Sequence, residues 1–215
     1  MRIGNTLLDL LFPRRCTFCH RLTQDGAAVC PRCREQLPYT RAAAAQQFPH
    51  IQSCVSPLYY VEDVRASLHR YKFGGLRMYA EVYGEFMAKA IDENAISCDS
   101  ITWVPLSRRR LRRRGYDQAR LLAEDLAGRT GLPCAPLLQK RRHNRAQSVT
   151  GSAEKRRKNV KGVYAAPDAD AVRGKRVLLV DDIVTTGATL SECASVLRKA
   201  GAKEVCAVTV ARRRD

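Results

Sequence analysis

The sequence predicts a three-layer α/β domain with a mainly parallel sheet, preceded by a small cysteine-rich domain. Val177-Leu178-Leu179-Val180 is an unbroken run of branched apolar residues, the pattern of a strand buried on both faces. Strand-like stretches at 54–60, 100–104 and 204–210 are spaced by helical patterns at 64–71, 76–94, 117–129 and 190–200, the rhythm of βα units. Four of the nine cysteines crowd into residues 16–33.

Taken in order, Leu7, Leu8, Leu10 and Leu11 suggest a short amphipathic helix that Pro13 ends. Cys16-Thr17-Phe18-Cys19 and Cys30-Pro31-Arg32-Cys33 follow, ten residues apart. Each C-x-x-C makes a tight knuckle that aims two sulfurs at one point, and two knuckles complete a tetrahedral Cys₄ site for structural zinc. A redox C-x-x-C would stand singly at a helix start in a βαβ context. His20 and His50 read as surface residues. The opening twelve residues are too short and too interrupted for a secretory signal, and no apolar run is long enough to span a membrane. The expectation is a cytoplasmic protein with reduced thiols and no membrane insertion. The alanine-rich stretch 40–47 reads as a connection, giving a zinc-ribbon domain over 1–48 and the α/β domain over 49–215.

Within the α/β domain, the helix at 64–71 leads into Lys72-Phe73-Gly74-Gly75, where Lys72 fits either a phosphate contact or a helix C-terminal charge before a cap. The strand at 100–104 ends at Pro105, and Arg108 to Arg114 holds six arginines in seven residues. This segment reads as a loop at the ligand-binding edge of the sheet, where its arginines repel one another unless an anion gathers them, with about half of them solvated. A helix over 117–129 is closed by Gly131, and 132–138 reads as an edge or strand. Residues 140–161 are basic and lose apolar periodicity, as a mobile lid does. Strand character returns at 160–164, and 167–174 turns the chain into the core strand.

That strand runs into Asp181 and Asp182, then Thr185-Thr186-Gly187-Ala188-Thr189, then the helix at 190–200. A helix N-terminus offers unpaired N–H groups and partial positive charge, so a loop of small residues there lets a phosphate sit on the backbone amides. Carboxylates repel phosphate but accept hydrogen bonds from sugar hydroxyls. Together they suit a ribose 5-phosphate. Strand-Asp-Asp also occurs in Walker B nucleotide hydrolases, but no G-x-x-x-x-G-K-[ST] is present. In response-regulator receivers the acid pair ends the first strand, whereas here only 34 residues follow Asp181.

The formal charge is +17, from 38 Lys and Arg against 21 Asp and Glu. A field of this size attracts polyanions such as nucleic acid, anionic lipid or polyphosphate ligands.

The stretch from Val177 to Thr189 resembles the binding signature for phosphoribosyl pyrophosphate (PRPP) of type I phosphoribosyltransferases. Together with the cysteine knuckles, Tyr71-Lys72-Phe73-Gly74-Gly75, Val104-Pro105-Leu106, Arg114-Gly115-Tyr116-Asp117-Gln118, Ala146-Gln147-Ser148, Arg157, Asn159 and Gly162, it resembles the ComF family of competence-associated, phosphoribosyltransferase-like proteins. The resemblance implies a type I phosphoribosyltransferase-like fold and a catalytic acid pair, Asp181 and Asp182, on the ribose hydroxyls. It implies Thr185, Thr186, Gly187, Ala188 and Thr189 around the 5-phosphate, with Lys72 and Arg114 as further PRPP contacts. Magnesium would bridge ribose hydroxyl and pyrophosphate oxygens. It also implies a link to natural transformation, with single-stranded DNA and competence-machinery proteins as partners. Two features depart from the family pattern: only Cys54 stands where many relatives have a second C-x-x-C pair, so one zinc is expected, and Asn144 replaces a common Thr.

Overall fold

The structure is a computed structural model, and it describes residues 14–23, 26–40, 45–141 and 162–214 of the 215-residue chain. The expected helix at Leu7 to Leu11 and the lid residues Asn144, Ala146, Gln147, Ser148, Arg157 and Asn159 lie outside the described residues.

The ribbon is built from two cysteine turns. An Arg15–Leu22 bridge closes the first knuckle as a small antiparallel loop. The second opens helix α1 (Pro31–Gln36), with the Cys30 side chain as N-cap and proline in the first turn, where a missing N–H costs nothing. The Cys16, Cys19, Cys30 and Cys33 sulfurs all lie within 4.8 Å of one another. The Cys30 N–H points at Cys16 Sγ and the Cys33 N–H at Cys30 Sγ, each at 3.4 Å, so both sulfurs already accept a backbone donor. Four convergent sulfurs with such donors fit a structural zinc. Phe18, between the first two cysteines, is fully buried and packs edge-on against Tyr83 and Phe86 of the main domain.

The main sheet contains β1 (Gln46–Phe48), β2 (Ile51–Val55), β3 (Leu58–Tyr59), β4 (Ser100–Trp103), β7 (Arg176–Val184) and β8 (Glu204–Arg212). Its order is β1-β2-β8-β7-β4, and β3 continues the line of β2 along β8. β2, β3, β8, β7 and β4 run parallel and only β1 runs antiparallel. Parallel strands covered on both faces must be apolar throughout, and Val177, Leu178, Leu179 and Val180 are each at most 1% exposed. On one face lie the ribbon, α2 (Glu62–Phe73), α3 (Tyr79–Glu93) and α5 (Gln118–Thr130), packed on Leu178 and Val180. On the other, α6 (Ala188–Lys199), Leu137 and Leu138 just before β5 (Gln139–Lys140), and Tyr164 of its partner β6 (Tyr164–Ala165) share a core with Val177 and Leu179.

Three expectations change. Arg108–Arg114 is not a loop but a short helix, α4, because Ser107 caps its first turn by accepting from the Arg110 N–H, and Gly115 ends it with a left-handed backbone (φ 78°). The core strand does not stop at the acid pair: β7 continues to Val184, paired with Arg212 of β8. The segment after α5 adds only a bridge, Cys134 to Ile101, rather than a strand. Among the described residues, no helix is long and apolar enough to cross a membrane.

A ribbon this small has little core of its own, so its fold should depend on metal. Elemental analysis is expected to give about one zinc per chain on Cys16, Cys19, Cys30 and Cys33. Chelation should expose residues 14–37 to protease. A metal-free chain with an intact, protected ribbon would contradict this.

Candidate functional site

The acid pair stands where β7 reaches the carboxyl edge of the parallel strands. Because strand side chains alternate, Asp181 and Asp182 face opposite sides of the sheet. Asp182 turns toward the α2 side, where Lys72 Nζ lies 2.9 Å from its Oδ1, both side chains being mostly buried. Lys72 is in the last turn of α2, which Gly74 caps by donating its N–H to the Arg70 carbonyl. The helix cap weighed for this stretch is present at Gly74, and Lys72 itself turns to the acid pair.

Two motifs far apart in sequence hold this arrangement. The Tyr71 hydroxyl donates to the Gln118 carbonyl at 2.9 Å, and the Tyr116 hydroxyl donates to the Tyr71 carbonyl. The Arg77 guanidinium donates to the Gly115 carbonyl and lies over the Tyr116 ring. Arg114 Nη1 donates to Gln118 Oε1 at 2.7 Å, and its guanidinium covers the Phe73 ring at 4.9 Å. Burial lowers the pKa of Arg114 while the Asp182 carboxylate opposes that, so this cation faces the acid pair. Asp117 caps α5, accepting from the Leu106 and Arg120 N–H groups. Burial nevertheless raises its pKa, helped by the nearby Asp182 charge.

Asp181 occupies the other face. Burial first, and the Asp182 carboxylate second, push its pKa up to about 8, against the pull of the Asp182 N–H donated to its Oδ1 at 2.8 Å and of Lys72. The groups that feel its charge include Cys193 of α6, Tyr164 of β6, Lys140 of β5 and Cys54 of β2. Lys140 Nζ lies 3.2 Å from the Tyr164 hydroxyl, and burial, then the Arg110 charge, lowers its pKa to about 8. Arg110 and Arg114 are one turn apart on α4 and both sit in the field of the site, whereas Arg108, Arg109, Arg112 and Arg113 are exposed.

Beyond the acids, Thr185 and Thr186 form a bend, and Gly187, with φ 68°, opens α6 at Ala188 without a side-chain cap. The first N–H groups of α6 are thus left for a ligand or water. The Phe48 ring fills the place a Cβ on Gly187 would take, so only glycine meets both demands. Thr189 lies in the first turn of α6.

Asp181, Asp182, Lys72, Arg114 and residues 185–189 are thereby brought to one end of the sheet, as the sequence predicts, while the four cysteines form a separate cluster. Sequence reasoning counted Arg110 only as one of the arginine run and Lys140 only as the start of the basic stretch, and gave Tyr164 no role. The spacing of Arg110 one turn before Arg114 is a signal only once α4 is known to be helical; Lys140 and Tyr164 carry no local signal, because their approach depends on strand pairing.

Matches to known families agree with this architecture. Residues 113–215 match the phosphoribosyl transferase domain family and residues 7–49 the double zinc ribbon domain family. The described residues hold one four-cysteine cluster. The fold and site therefore define a phosphoribosyltransferase-like protein with an N-terminal zinc ribbon. Competence protein F of Haemophilus influenzae is 28% identical over 90% of this chain and 95% of its own length. The DNA utilization protein YhgH of Salmonella typhi is 31% identical over 88% and 86%, and competence protein ComFC of Streptococcus pneumoniae is 28% identical over 84% and 79%. The chain belongs to the ComF family. Among solved structures, a Bacillus subtilis glutamine PRPP amidotransferase is 28% identical, with a TM-score of 0.42 over 61% of this chain and 26% of that one.

The Asp181 shift has a testable sign. A carboxyl whose folded pKa is raised favours the folded state most below its ordinary value and loses that advantage as pH rises through the folded value. Asp181→Asn removes the titration. Its stability relative to wild type should rise between about pH 4 and pH 8 and stay flat below, as read by denaturant melts across pH. A difference independent of pH over this window would contradict the raised pKa of Asp181.

Proposed function

We propose that the end of the sheet binds PRPP, with Asp181 and Asp182 accepting from the ribose hydroxyls and the backbone N–H groups of residues 187–189 receiving the 5-phosphate. The observation that carries this reading is the junction of the acid pair with an α6 N-terminus opened by an uncapped Gly187. Lys72, Arg110 and Arg114 supply cations for the pyrophosphate. Lys72 would exchange its contact with Asp182 for one with the ligand, freeing that carboxylate for the sugar. Magnesium bound with the ligand beside Asp181 and Asp182 would offset charge on the leaving group. Charge developing on departing pyrophosphate is stabilised by such preorganised cations, so the arrangement suits transfer of the phosphoribosyl group. The names of the relatives support a role connected with DNA uptake or utilization.

Charge-assisted hydrogen bonds contribute about 1.5–3 kcal/mol each, so Asp182→Asn should weaken PRPP binding at least about tenfold in calorimetry. Gly187→Val, which forces a branched side chain into a left-handed backbone and the Phe48 ring, should do the same. Unchanged affinity in both variants would sink the assignment. Pyrophosphate release from PRPP with candidate acceptors distinguishes a transferase from a protein that uses PRPP as a regulatory ligand.

A second partner is favoured by the outer face of α4. Arg108, Arg109, Arg112 and Arg113 are exposed, and among the described residues no carboxylate lies within ion-pair distance of any of them. Phe73, half exposed, and Arg113 above its ring add a stacking surface. This combination suits the phosphates and bases of single-stranded DNA with little sequence preference. Log affinity for a labelled oligonucleotide should fall with log salt by roughly 0.7 per phosphate contact. Arg109→Gln/Arg112→Gln should make that slope shallower. No binding at moderate salt would remove DNA as a direct partner.

A further inference from the structure

The ribbon and the phosphoribosyl site share helix α2. Its Ser67 hydroxyl donates to the Thr17 carbonyl at 2.6 Å, and Arg70 Nη2 donates to the carbonyls of Thr17, at 3.1 Å, and Phe18. These are the two residues between Cys16 and Cys19, so their carbonyls point where the first metal knuckle aims them. Four thiolates around one zinc leave a net negative cluster, which suits the Arg70 cation. Arg70 stands two residues before Lys72 and supplies the carbonyl that caps the helix at Gly74.

A second connection runs through aromatic rings. Phe18 packs on Tyr83, whose hydroxyl meets Ser67 Oγ at 2.6 Å. The Tyr83 ring packs edge-on against Tyr71 at 5.3 Å, and Tyr71 is clasped to Gln118 and Tyr116 beside Arg114. Ser67, Tyr71 and Tyr83 are all fully buried. In so tightly packed an interior, a displaced Phe18 or an unpaired Ser67 is felt by its neighbours.

We infer that the zinc knuckle is part of the scaffold of the phosphoribosyl site, with Ser67 and Arg70 as positioning residues that lock the last turn of α2, and with it Lys72, onto the knuckle carbonyls. Zinc fixes Cys16 and Cys19, the knuckle fixes two acceptors, and those acceptors fix the turn that presents Lys72 to Asp182. The ligand consequence rests on the PRPP reading; the backbone consequence does not.

Hydrogen exchange on the full-length, zinc-loaded chain tests the backbone consequence without ligand. Arg70→Met keeps the apolar stem and removes the donors. With zinc content still equal to wild type, amides of residues 71–74 should exchange on the order of tenfold faster while those of β7 are unchanged, and Arg70→Lys should restore part of the protection. Should Arg70→Met lose zinc or fail to fold, Ser67→Ala carries the same test with a smaller acceleration. Unaltered exchange at 71–74 in a zinc-retaining variant would overturn the inference. In parallel, calorimetric PRPP affinity should drop several-fold in Arg70→Met, and equal affinity in variant and wild type would also overturn it. A wild-type protein that fails to bind PRPP would instead sink the reading of the site, leaving the exchange result to decide the linkage.

Discussion

Neighbouring residues of one strand cannot share a side of the sheet, and both sides of β7 are covered. The acid pair is therefore split between two environments. Asp182 meets a lysine at 2.9 Å, with Arg114 close enough to feel its charge. Asp181 is half-buried on the α6 side, where Lys140 forms no ion pair with it and ionisation is disfavoured. Burying charge is costly unless it is paired, so the second carboxylate is held reluctant to ionise. A ligand that straddles the end of β7 meets one acceptor already paired with a lysine and another whose charge depends on what approaches it.

Much of the remaining architecture holds those cations in place. Lysine carries a flexible stem and loses considerable rotamer freedom when fixed. Here the cost is shared with a buried clasp in which two tyrosine hydroxyls, one on each motif, donate to backbone carbonyls of the other. α4 divides its labour by helical spacing: Arg110 and Arg114 face inward, and the rest of its arginines are turned to solvent. Six like charges in one short helix repel one another, and among the described residues no carboxylate pairs with the four outward arginines, so an external anion is the natural relief.

The strand that needs apolar residues on both faces, the helices with apolar residues one turn apart and the cysteine knuckles were legible because each is a local pattern with a local physical cause. The approach of Lys72 and Arg114 to Asp181 and Asp182 was expected only from the family resemblance, since on local sequence Lys72 read equally well as a helix C-terminal charge. The arginine helix was hidden because repulsion argued against it, while the Ser107 cap and Gly115 stop that permit it are modest signals. Lys140 and Tyr164 could not be found from sequence, since their meeting is set by pairing of β5 with β6 across a segment of more than twenty residues. Nor could the Ser67 and Arg70 contacts, which join residues about fifty positions apart through backbone carbonyls that have no sequence identity.

Strand β8 is the central plank of the sheet, bonded to β2 and β3 on one side and β7 on the other, and Ser56 meets Thr209 across a separation of 153 residues. The chain emerges from the ribosome with β2 long before β8. Until then β2 has only the edge hairpin for company, and its inner faces are exposed apolar surface. The ribbon, by contrast, closes within residues 16–33 and can take its metal early. Folding should therefore be asynchronous: a metal-organised front that waits, and a sheet that snaps together only when its last strand slides between two partners already made.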